Sequence, residues 1–176
     1  MEERREVVRA LTSPDAEIVD VPKGERGALV PILQGSFEGL YLWHSKRTLR
    51  GVDHVRASKT LEGTFSGLIM LKMLAENAGY VYYVAVAPEF RRRGIAGRLL
   101  DSGLSYFQGE GVGEVYASVP AENEESKRLF ASKGFARVEG SEMNEKYGRF
   151  RALLMYREMM LVRGEVLLGK RLQGAG

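Results

Sequence analysis

The sequence predicts an α/β fold with a twisted, mixed but mostly antiparallel sheet flanked by helices. The first indication is a hairpin, because residues 55–61 and 64–74 are strand-like and flank a turn at Glu62 and Gly63. The second is the uncharged run of aromatic, β-branched and small residues over 80–87, which predicts a buried third strand. A helix and another strand follow, which places a β-α-β crossover at the centre of the fold.

Length and composition predict one ordinary globular domain over residues 1–176. The chain is 44% hydrophobic and 28% charged, and this composition supports a core without resembling a disordered chain. No run of about 18 apolar residues is present, so neither a transmembrane helix nor a membrane partner is expected. The start of the chain lacks the apolar stretch of a secretory signal, and there is no cysteine. Both features favour a cytoplasmic protein.

Charge and histidine content argue against two further kinds of site. A formal net charge of +3 is too small to predict a nucleic-acid partner, although a local basic patch can attract an anionic ligand. His44 and His54 are the only histidines, and without a matching carboxylate pattern they predict no metal site. The oligomeric state is left open between monomer and homodimer.

The first third of the chain predicts short strands and then helices. Residues 6–11 and 17–21 are candidate strands around a turn at 13–15, and residues 23–50 have a helical pattern that breaks at 34–36. An aromatic segment lies in the second half of this helical region. It contains Tyr41, Trp43 and His44, which either pack in the core or line a substrate pocket.

A basic turn containing glycine separates the central strand from the next helix. Pro88 ends the strand, residues 91–93 are all arginine, and the apolar spacing over 94–107 predicts a helix. A helix N-terminus has unpaired N–H groups and partial positive charge, so each arginine there costs about 0.3–1 kcal/mol. The turn is therefore either a solvated basic loop or a site for a multiply charged anion such as a pyrophosphate.

The rest of the chain predicts one more helix and several strands. Residues 114–119 form a predicted strand, Asn123 is a good N-cap for the next helix, and Gly134 is placed to end that helix. Beyond it we expect a short strand near 136–139 and a polar loop over 141–149. A long apolar strand over 152–162 and a last strand near 166–168 complete the prediction.

Two motifs resemble those of a known family. Val84-Ala85-Val86-x-Pro88, followed by Arg91-x-x-Gly94-x-Ala96, closely resembles the signature of the GNAT superfamily of N-acetyltransferases. The segment from Asn123 to Phe135 resembles the second GNAT motif. The likeness covers residues 80–135 and is looser elsewhere. It implies the GNAT fold, acetyl-CoA as co-substrate and no metal.

The resemblance also implies which residues bind the co-substrate. In GNAT proteins the loop and helix start bind the pyrophosphate, and the exposed backbone of the splayed strand holds the pantetheine arm. The positions implied here are Val84, Ala85, Val86, Arg91, Arg92, Arg93, Gly94, Ile95, Ala96, Gly97 and Asn123. The backbone N–H near Val84 is the implied oxyanion donor, and Asn123 is expected both to cap its helix and to contact the cofactor arm.

The usual acid and base of the family are replaced in this chain. Many relatives place a glutamate base where Tyr80 stands, and the ribosomal-protein alanine acetyltransferases place one where Ser118 stands. Many members have a tyrosine acid at the position of Phe130, and phenylalanine cannot donate a proton. These departures argue against transferring the activity on N-terminal peptides directly.

The remaining catalytic candidates are tyrosines. The candidates are Tyr80, Tyr82 and Tyr147, of which Tyr80 and Tyr147 are the predicted catalytic residues. Tyr80 is a poor base at its ordinary pKa of about 10 but can order a water, and Tyr147 is expected in a loop near the acceptor. By strand alternation Tyr80 and Tyr82 share a face with Val84, and Tyr83 faces the other way.

The resemblance implies an acetyl-CoA-dependent N-acetyltransferase. The acetyl group would pass to a primary amine, on a peptide or protein N-terminus or a small molecule, by direct attack within a ternary complex. The alternative is a non-catalytic acyl-CoA-binding or sensing module. A third hypothesis, a nucleic-acid binder using the basic turn, predicts salt-sensitive binding to polyanions in general. The sequence does not indicate the acceptor.

Overall fold

A computed structural model describes residues 17–172, and at its centre is a seven-stranded sheet. Its strands are β1 (Glu17–Asp20), β2 (His54–Lys59), β3 (Phe65–Leu74), β4 (Ala78–Val86), β5 (Glu114–Pro120), β6 (Ala136–Arg137) and β7 (Glu165–Arg171). They lie in the order β1-β2-β3-β4-β5-β7-β6. Each neighbouring pair is antiparallel except β4 and β5, which are parallel. The predicted mixed, mostly antiparallel sheet is confirmed.

Helices cover both faces of this sheet. Those in the described part of the chain are α1 (Val30–Gln34), α2 (Gly39–Gly51), α3 (Ile95–Gly109), α4 (Glu124–Ser132), α5 (Gly140–Tyr147) and α6 (Arg149–Met159). Short 3-10 helices at Lys23–Leu29 and Pro88–Phe90 precede α1 and follow β4. None of the helices within residues 17–172 is long and apolar enough to cross a bilayer.

The predicted elements from the N-terminal helices to α4 are confirmed. Helical structure runs over 23–34 and resumes at 39, as the break at Gly35 predicts. The hairpin, the central strand, α3 and the parallel strand β5 occupy their predicted positions. The candidate strand over 17–21 is β1, whereas the one over 6–11 lies outside the described residues.

The predictions of a polar loop over 141–149 and a long strand over 152–162 are wrong. These residues form α5 and α6. Ala152, Met155 and Met159 are buried at helical spacing, while Leu153 and Leu154 are 57% and 39% exposed. Alanine, leucine, methionine, arginine and glutamate all favour helix, and no β-branched residue precedes Val162 in the predicted strand. The last strand in the chain, β7, lies between β5 and β6.

Three apolar clusters hold the layers together. One lies under α3 and α4 and includes Ile69, Val81 and Leu99, and a second lies under α1 and α2 and includes Leu68 and Met70. A third packs α5 and α6 against the β4–β5 region of the sheet.

The close approach of α3 to β4 depends on a glycine. A Cβ at Gly79 would lie 2.6 Å from the Phe107 ring, so only glycine lets this helix approach so near.

Candidate active site

The parallel strands β4 and β5 separate partway along their length. Their register ends at Val81 opposite Ala117. Beyond that point β4 stays paired with β3 as far as Val86, and β5 stays paired with β7 as far as Pro120. A wedge-shaped gap therefore opens in the middle of the sheet, with strand backbone on both sides.

A β-bulge in β4 lies at the start of this gap. Met70 is opposite Tyr83 and Leu71 is opposite Val81, so Tyr82 has no partner on β3. Val84 packs in the cluster under α3, whereas Tyr82 and Tyr83 both pack on the other face. The prediction that Tyr80 and Tyr82 share a face with Val84 is wrong, because the extra residue reverses the alternation. Tyr83 does lie on the face opposite Val84, as predicted.

The amide of Val84 points into the gap. The Ala87 N–H donates to the Ser66 carbonyl at 2.9 Å, and the register places Val84 opposite Ile69. Hydrogen-bonded and non-hydrogen-bonded pairs alternate along antiparallel strands, so the polar backbone groups of Val84 and Val86 are directed away from β3. The Val86 carbonyl accordingly accepts a bond from Arg91 Nε at 3.2 Å.

The N-terminus of α3 lies at one end of the gap. Gly94 is its N-cap with φ +74°, a conformation that favours glycine. The first intrahelical hydrogen bond there runs from the Arg98 N–H to the Gly94 carbonyl at 3.1 Å. The N–H groups of Ile95, Ala96 and Gly97 lie before this bond, in the first turn, where a helix leaves its N–H groups without intrahelical partners. No acidic residue lies in the first turn, which leaves this end suited to an anion.

The three arginines of the turn differ in what they contact. Arg91 donates to the carbonyls of Val86 and Gly35, at 3.2 and 2.9 Å, and so ties the turn to the end of α1. Arg92 has a positive φ of +63° and lines the gap. Arg93 donates to the Glu89 carbonyl at 3.1 Å and lies over Phe90. Arg93 does not line the cleft described below, so its charge acts on an anion bound there only at longer range.

A single cleft of about 930 Å³ connects the turn with the wedge and continues to α2 and the β7 end. It is lined by ten of the eleven residues assigned to the co-substrate, all but Arg93: Val84, Ala85, Val86, Arg91, Arg92, Gly94, Ile95, Ala96, Gly97 and Asn123. Asn123 Oδ1 also accepts the Ser126 N–H at 3.0 Å, so its expected role as a cap is confirmed.

The structure places the aromatic segment of α2 along the wall of this cleft rather than in the buried core. Tyr41, Trp43 and His44 all line the cleft. His44 Nδ1 lies 2.6 Å from the Tyr83 hydroxyl, and its Nε2 lies 3.2 Å from Met160 Sδ. Burial lowers the pKa of His44, which keeps the imidazole neutral near pH 7. A neutral ring with its proton on Nε2 satisfies both contacts.

A carboxylate that the sequence did not single out lines the cleft. Glu165, the first residue of β7, accepts bonds from Ser118 Oγ at 2.9 Å, from Tyr41 Oη at 3.1 Å and from the Val162 N–H at 3.2 Å. Burial, and then the Glu165 carboxylate, raises the pKa of Tyr41 to about 12. Glu165 reaches the cleft because it lies opposite Pro120 at the end of the β5–β7 pairing. No local signal in the sequence indicates this carboxylate, since its position depends on the pairing of β7 with β5.

Tyr80 joins this network from β4. Its hydroxyl lies 2.7 Å from Ser118 Oγ, and because Ser118 donates to Glu165, the Tyr80 hydroxyl is the donor to Ser118. The ring is 2% exposed, and burial raises its pKa above the ordinary value. Tyr80 therefore stays protonated and serves as a hydrogen-bond donor.

The other tyrosines have different surroundings. Tyr147 ends α5, its hydroxyl lies 2.9 Å from that of Tyr116, and it is not among the residues lining the cleft. The expectation of Tyr147 in a loop is thus wrong. Tyr82 lines the cleft and donates to the Glu158 carbonyl, and burial raises its pKa to about 12. Geometry brings Tyr80, Ser118 and Glu165 together and leaves Tyr147 apart.

Comparison with known proteins supports the fold and the family resemblance that the sequence indicated. Residues 32–135 match the profile of the Acetyltransferase (GNAT) family. A mycothiol acetyltransferase of Corynebacterium aurimucosum is 34% identical over 79 residues, which are 43% of this chain and 26% of that protein. The aligned segment thus spans about a quarter of that relative's length.

Solved structures share the fold at low identity. The ribosomal-protein-S18-alanine N-acetyltransferase of Escherichia coli has a TM-score of 0.65 at 16% identity, with 91% of this chain and 96% of that chain covered. The PaiA N-acetyltransferase of Thermoplasma acidophilum, solved in complex with coenzyme A, has a TM-score of 0.65 at 14% identity, covering 90% and 99%. With the profile match over more than half of its length, this chain belongs to the Acetyltransferase (GNAT) family.

Proposed function

We propose that the chain is an acetyl-CoA-dependent N-acetyltransferase that acts on a primary amine by direct attack within a ternary complex. The observation that carries this proposal is the joining of two features in one cleft. An anion-binding helix start lies at one end, and an inward-pointing strand amide lies in the wedge between β4 and β5. Neither feature alone distinguishes acetyl transfer from simple phosphate binding.

The residues present fit coenzyme A. Three amides at the start of α3 and the arginines of the turn suit a pyrophosphate, and a Cβ at Gly94 would meet nothing within 4 Å, which leaves room for phosphate oxygens. Leu129 and Phe130 provide apolar surface beside Asn123 for the pantetheine arm. Bound acetyl-CoA would supply the acyl group as a reactive thioester.

The chain offers candidates for the oxyanion donor and for the proton acceptor. The Val84 N–H is the donor for the oxyanion that develops on the carbonyl. Glu165 accepts the proton of the amine, directly or through Ser118, since both line the cleft and are hydrogen-bonded to one another. Tyr80 holds the Ser118 hydroxyl in place by donating to it.

Two experiments test the proposal. Calorimetric titration should show selective binding of acetyl-CoA over ADP and over a DNA oligonucleotide, with a modest salt dependence. A steep salt slope shared with DNA would instead favour a general polyanion binder. Thiol release from acetyl-CoA in the presence of a panel of primary amines then reports turnover.

The second candidate is an acyl-CoA-binding or sensing module without catalysis. Phe130 favours it, because this residue lines the cleft where relatives have an acid and packs edge-to-face on Phe135 at 5.0 Å. Tight acetyl-CoA binding without thiol release for any amine would identify a sensor.

Several broader expectations stay part of the proposal. They are a single domain over 1–176, a cytoplasmic location, a reaction without metal, no nucleic-acid or membrane partner, and a monomer or homodimer. Within residues 17–172 there is no cluster of three or more potential metal ligands of the His, Cys, Asp or Glu type.

A further inference from the structure

The cleft has two ends of opposite character. Its cations are Arg91 and Arg92, both at the α3 end where the co-substrate phosphates would bind. The other end lies between α2 and the segment that joins α6 to β7, and its wall is largely apolar or aromatic. That wall is made of Phe37, Leu40, Tyr41, Trp43, Met160 and Val162.

Much of this apolar wall is open to solvent at the mouth of the cleft. Leu40 and Trp43 are 66% and 59% exposed, and Met160 and Val162 are 50% and 44% exposed. They flank one opening from both sides, since the first two lie on α2 and the others follow α6. Apolar side chains grouped around a cleft mouth indicate that the ligand has an apolar body.

Glu165 provides the charge at the inner part of this end. Of the three carboxylates that line the cleft, Glu38 and Glu125 are exposed, and Glu165 is the partly buried one. It accepts three hydrogen bonds, all from neutral donors. Within residues 17–172 it makes no ion pair. A partly buried carboxylate held by neutral donors is complementary to a cationic ligand.

The polar side chains of the wall are already bonded to one another. Tyr41 donates to Glu165, and the two ring nitrogens of His44 contact Tyr83 and Met160. The wall therefore presents few unused groups for a peptide backbone. An α-carboxylate would also lie beside Glu165 and be repelled by it. The cation near this end, Arg47, lies over the Trp43 ring at 5.8 Å from its centroid and does not line the cleft.

We propose that the acceptor is a small primary amine with an aromatic or branched aliphatic body and no carboxylate beside the nitrogen, bound through an ion pair between its ammonium group and Glu165. This inference rests on the proposed function and names its substrate class. The apolar body lies against Trp43, Leu40 and Met160 at the cleft mouth. Arylalkylamines such as 2-phenylethylamine are suitable probes of this class.

The same ion pair prepares the transfer step. One ammonium proton passes to the Glu165 carboxylate, and the freed nitrogen lone pair forms the new C–N bond at the thioester carbonyl. As the tetrahedral intermediate collapses, the C–S bond breaks and the second nitrogen proton passes to the leaving sulfur. The products are the amide and the free thiol, and Glu165 returns its proton to solvent.

A matched pair of substrates tests the class. 2-Phenylethylamine and phenylalanine differ only in the carboxylate, so the wild-type protein should acetylate the first with a kcat/KM at least about 100-fold higher. Phenylalanine amide, which lacks the negative charge, should fall between them. A preference for phenylalanine, or for a peptide with an N-terminal alanine, would overturn the proposal.

Glu165→Gln tests the residue. It keeps the size but removes the charge and replaces one acceptor oxygen with an NH2 donor, and kcat/KM for 2-phenylethylamine should fall by about 100-fold or more. The acetyl-CoA Kd should change less than about 2-fold, because Glu165 lies away from the phosphate end. Glu145→Gln, an equal change at an exposed position of α5, is the control and should behave as wild type. Unaltered kcat/KM in Glu165→Gln would refute the assignment.

Binding of the amine can be measured without turnover. Trp43 is the single tryptophan of the chain and lies at the cleft mouth, so its fluorescence reports 2-phenylethylamine in the absence of acetyl-CoA. We expect saturable binding that Glu165→Gln weakens by at least about 10-fold. An inactive protein that binds acetyl-CoA and shows this response would overturn catalysis while supporting the recognition inferred here. A protein that acetylates other amines but shows no response would overturn this inference alone.

Discussion

Gly94 is the N-cap of α3 and one of the residues proposed to contact the co-substrate phosphates. Its φ of +74° is a left-handed conformation, and the space in front of its Cα is open. Among residues with a side chain, asparagine and aspartate tolerate this conformation best. The position therefore allows substitutions that change the ligand site while the backbone conformation is kept.

Gly94→Asp should lower acetyl-CoA affinity by at least about 100-fold, because a negative side chain would face the pyrophosphate and weaken charge-assisted bonds worth about 1.5–3 kcal/mol each. Isothermal titration measures the effect. Gly94→Asn has the same size without the charge and should lose clearly less affinity. Equal binding by wild type and Gly94→Asp would place the phosphates elsewhere.

Tyr80 and Tyr147 form a second comparison at the residue scale. Tyr80→Phe removes the donor to Ser118, so we expect kcat to fall about 10-fold and stability by about 1 kcal/mol. The shape of the pH profile between about pH 6 and 9 should not change, because burial keeps the pKa of Tyr80 above its ordinary value of about 10. Stopped-flow or steady-state thiol release measures kcat and the pH profile, and urea unfolding measures the stability.

Tyr147→Phe removes an equivalent hydroxyl that bonds to Tyr116 outside the cleft. Its kcat should stay within about 2-fold of wild type, and any loss should appear only in stability, at about 1 kcal/mol. A large loss of kcat in this variant, with Tyr80→Phe fully active, would restore Tyr147 as the catalytic candidate.

At the scale of elements, α4 begins with a cap that is also part of the cleft wall. Asn123→Ala should destabilise the protein by about 1 kcal/mol, whereas Asn123→Ser keeps a capping oxygen and should cost much less. Both variants lose the amide group. If Asn123 also contacts the co-substrate arm, both should weaken acetyl-CoA binding to the same extent. Full affinity in both would leave only the capping role.

Elements differed in how far their sequence predicted them. β4 and α3 were predictable because an uncharged run, a proline and an apolar helical spacing follow one another without overlap. The bulge at Tyr82 was not, because it depends on the register with β3. Helix α6 was mistaken for a strand because Leu153 and Leu154 interrupt the apolar spacing of Ala152, Met155 and Met159 with exposed apolar residues.

At the scale of the whole molecule, His44 connects parts of the chain that are far apart in sequence. It lies on α2 and contacts Tyr83 of β4 and Met160 after α6. Burial lowers its pKa in the folded state, so the unfolded chain takes up a proton at a higher pH than the folded protein does. Stability should therefore decrease as pH falls below about 6.5, the ordinary pKa of histidine.

His44→Gln removes this contribution and should reduce the loss of stability between pH 7.5 and pH 5.5. Urea unfolding at both pH values measures the difference. The same pH dependence in wild type and His44→Gln would show that His44 is not held neutral by the fold.

The sequence by itself determined the fold class and the basic turn before α3, and it indicated the positions proposed to bind the co-substrate. These features depend on residues adjacent in the chain, where strand, proline, arginines and glycine follow in order. Only the tertiary structure brought together the residues proposed for the acceptor end and for proton transfer. Glu165 and Tyr41 are 124 positions apart, and pairing of β7 with β5 brings them together. Local pattern cannot specify such a contact, because it arises only when distant strands and helices pack on a common sheet.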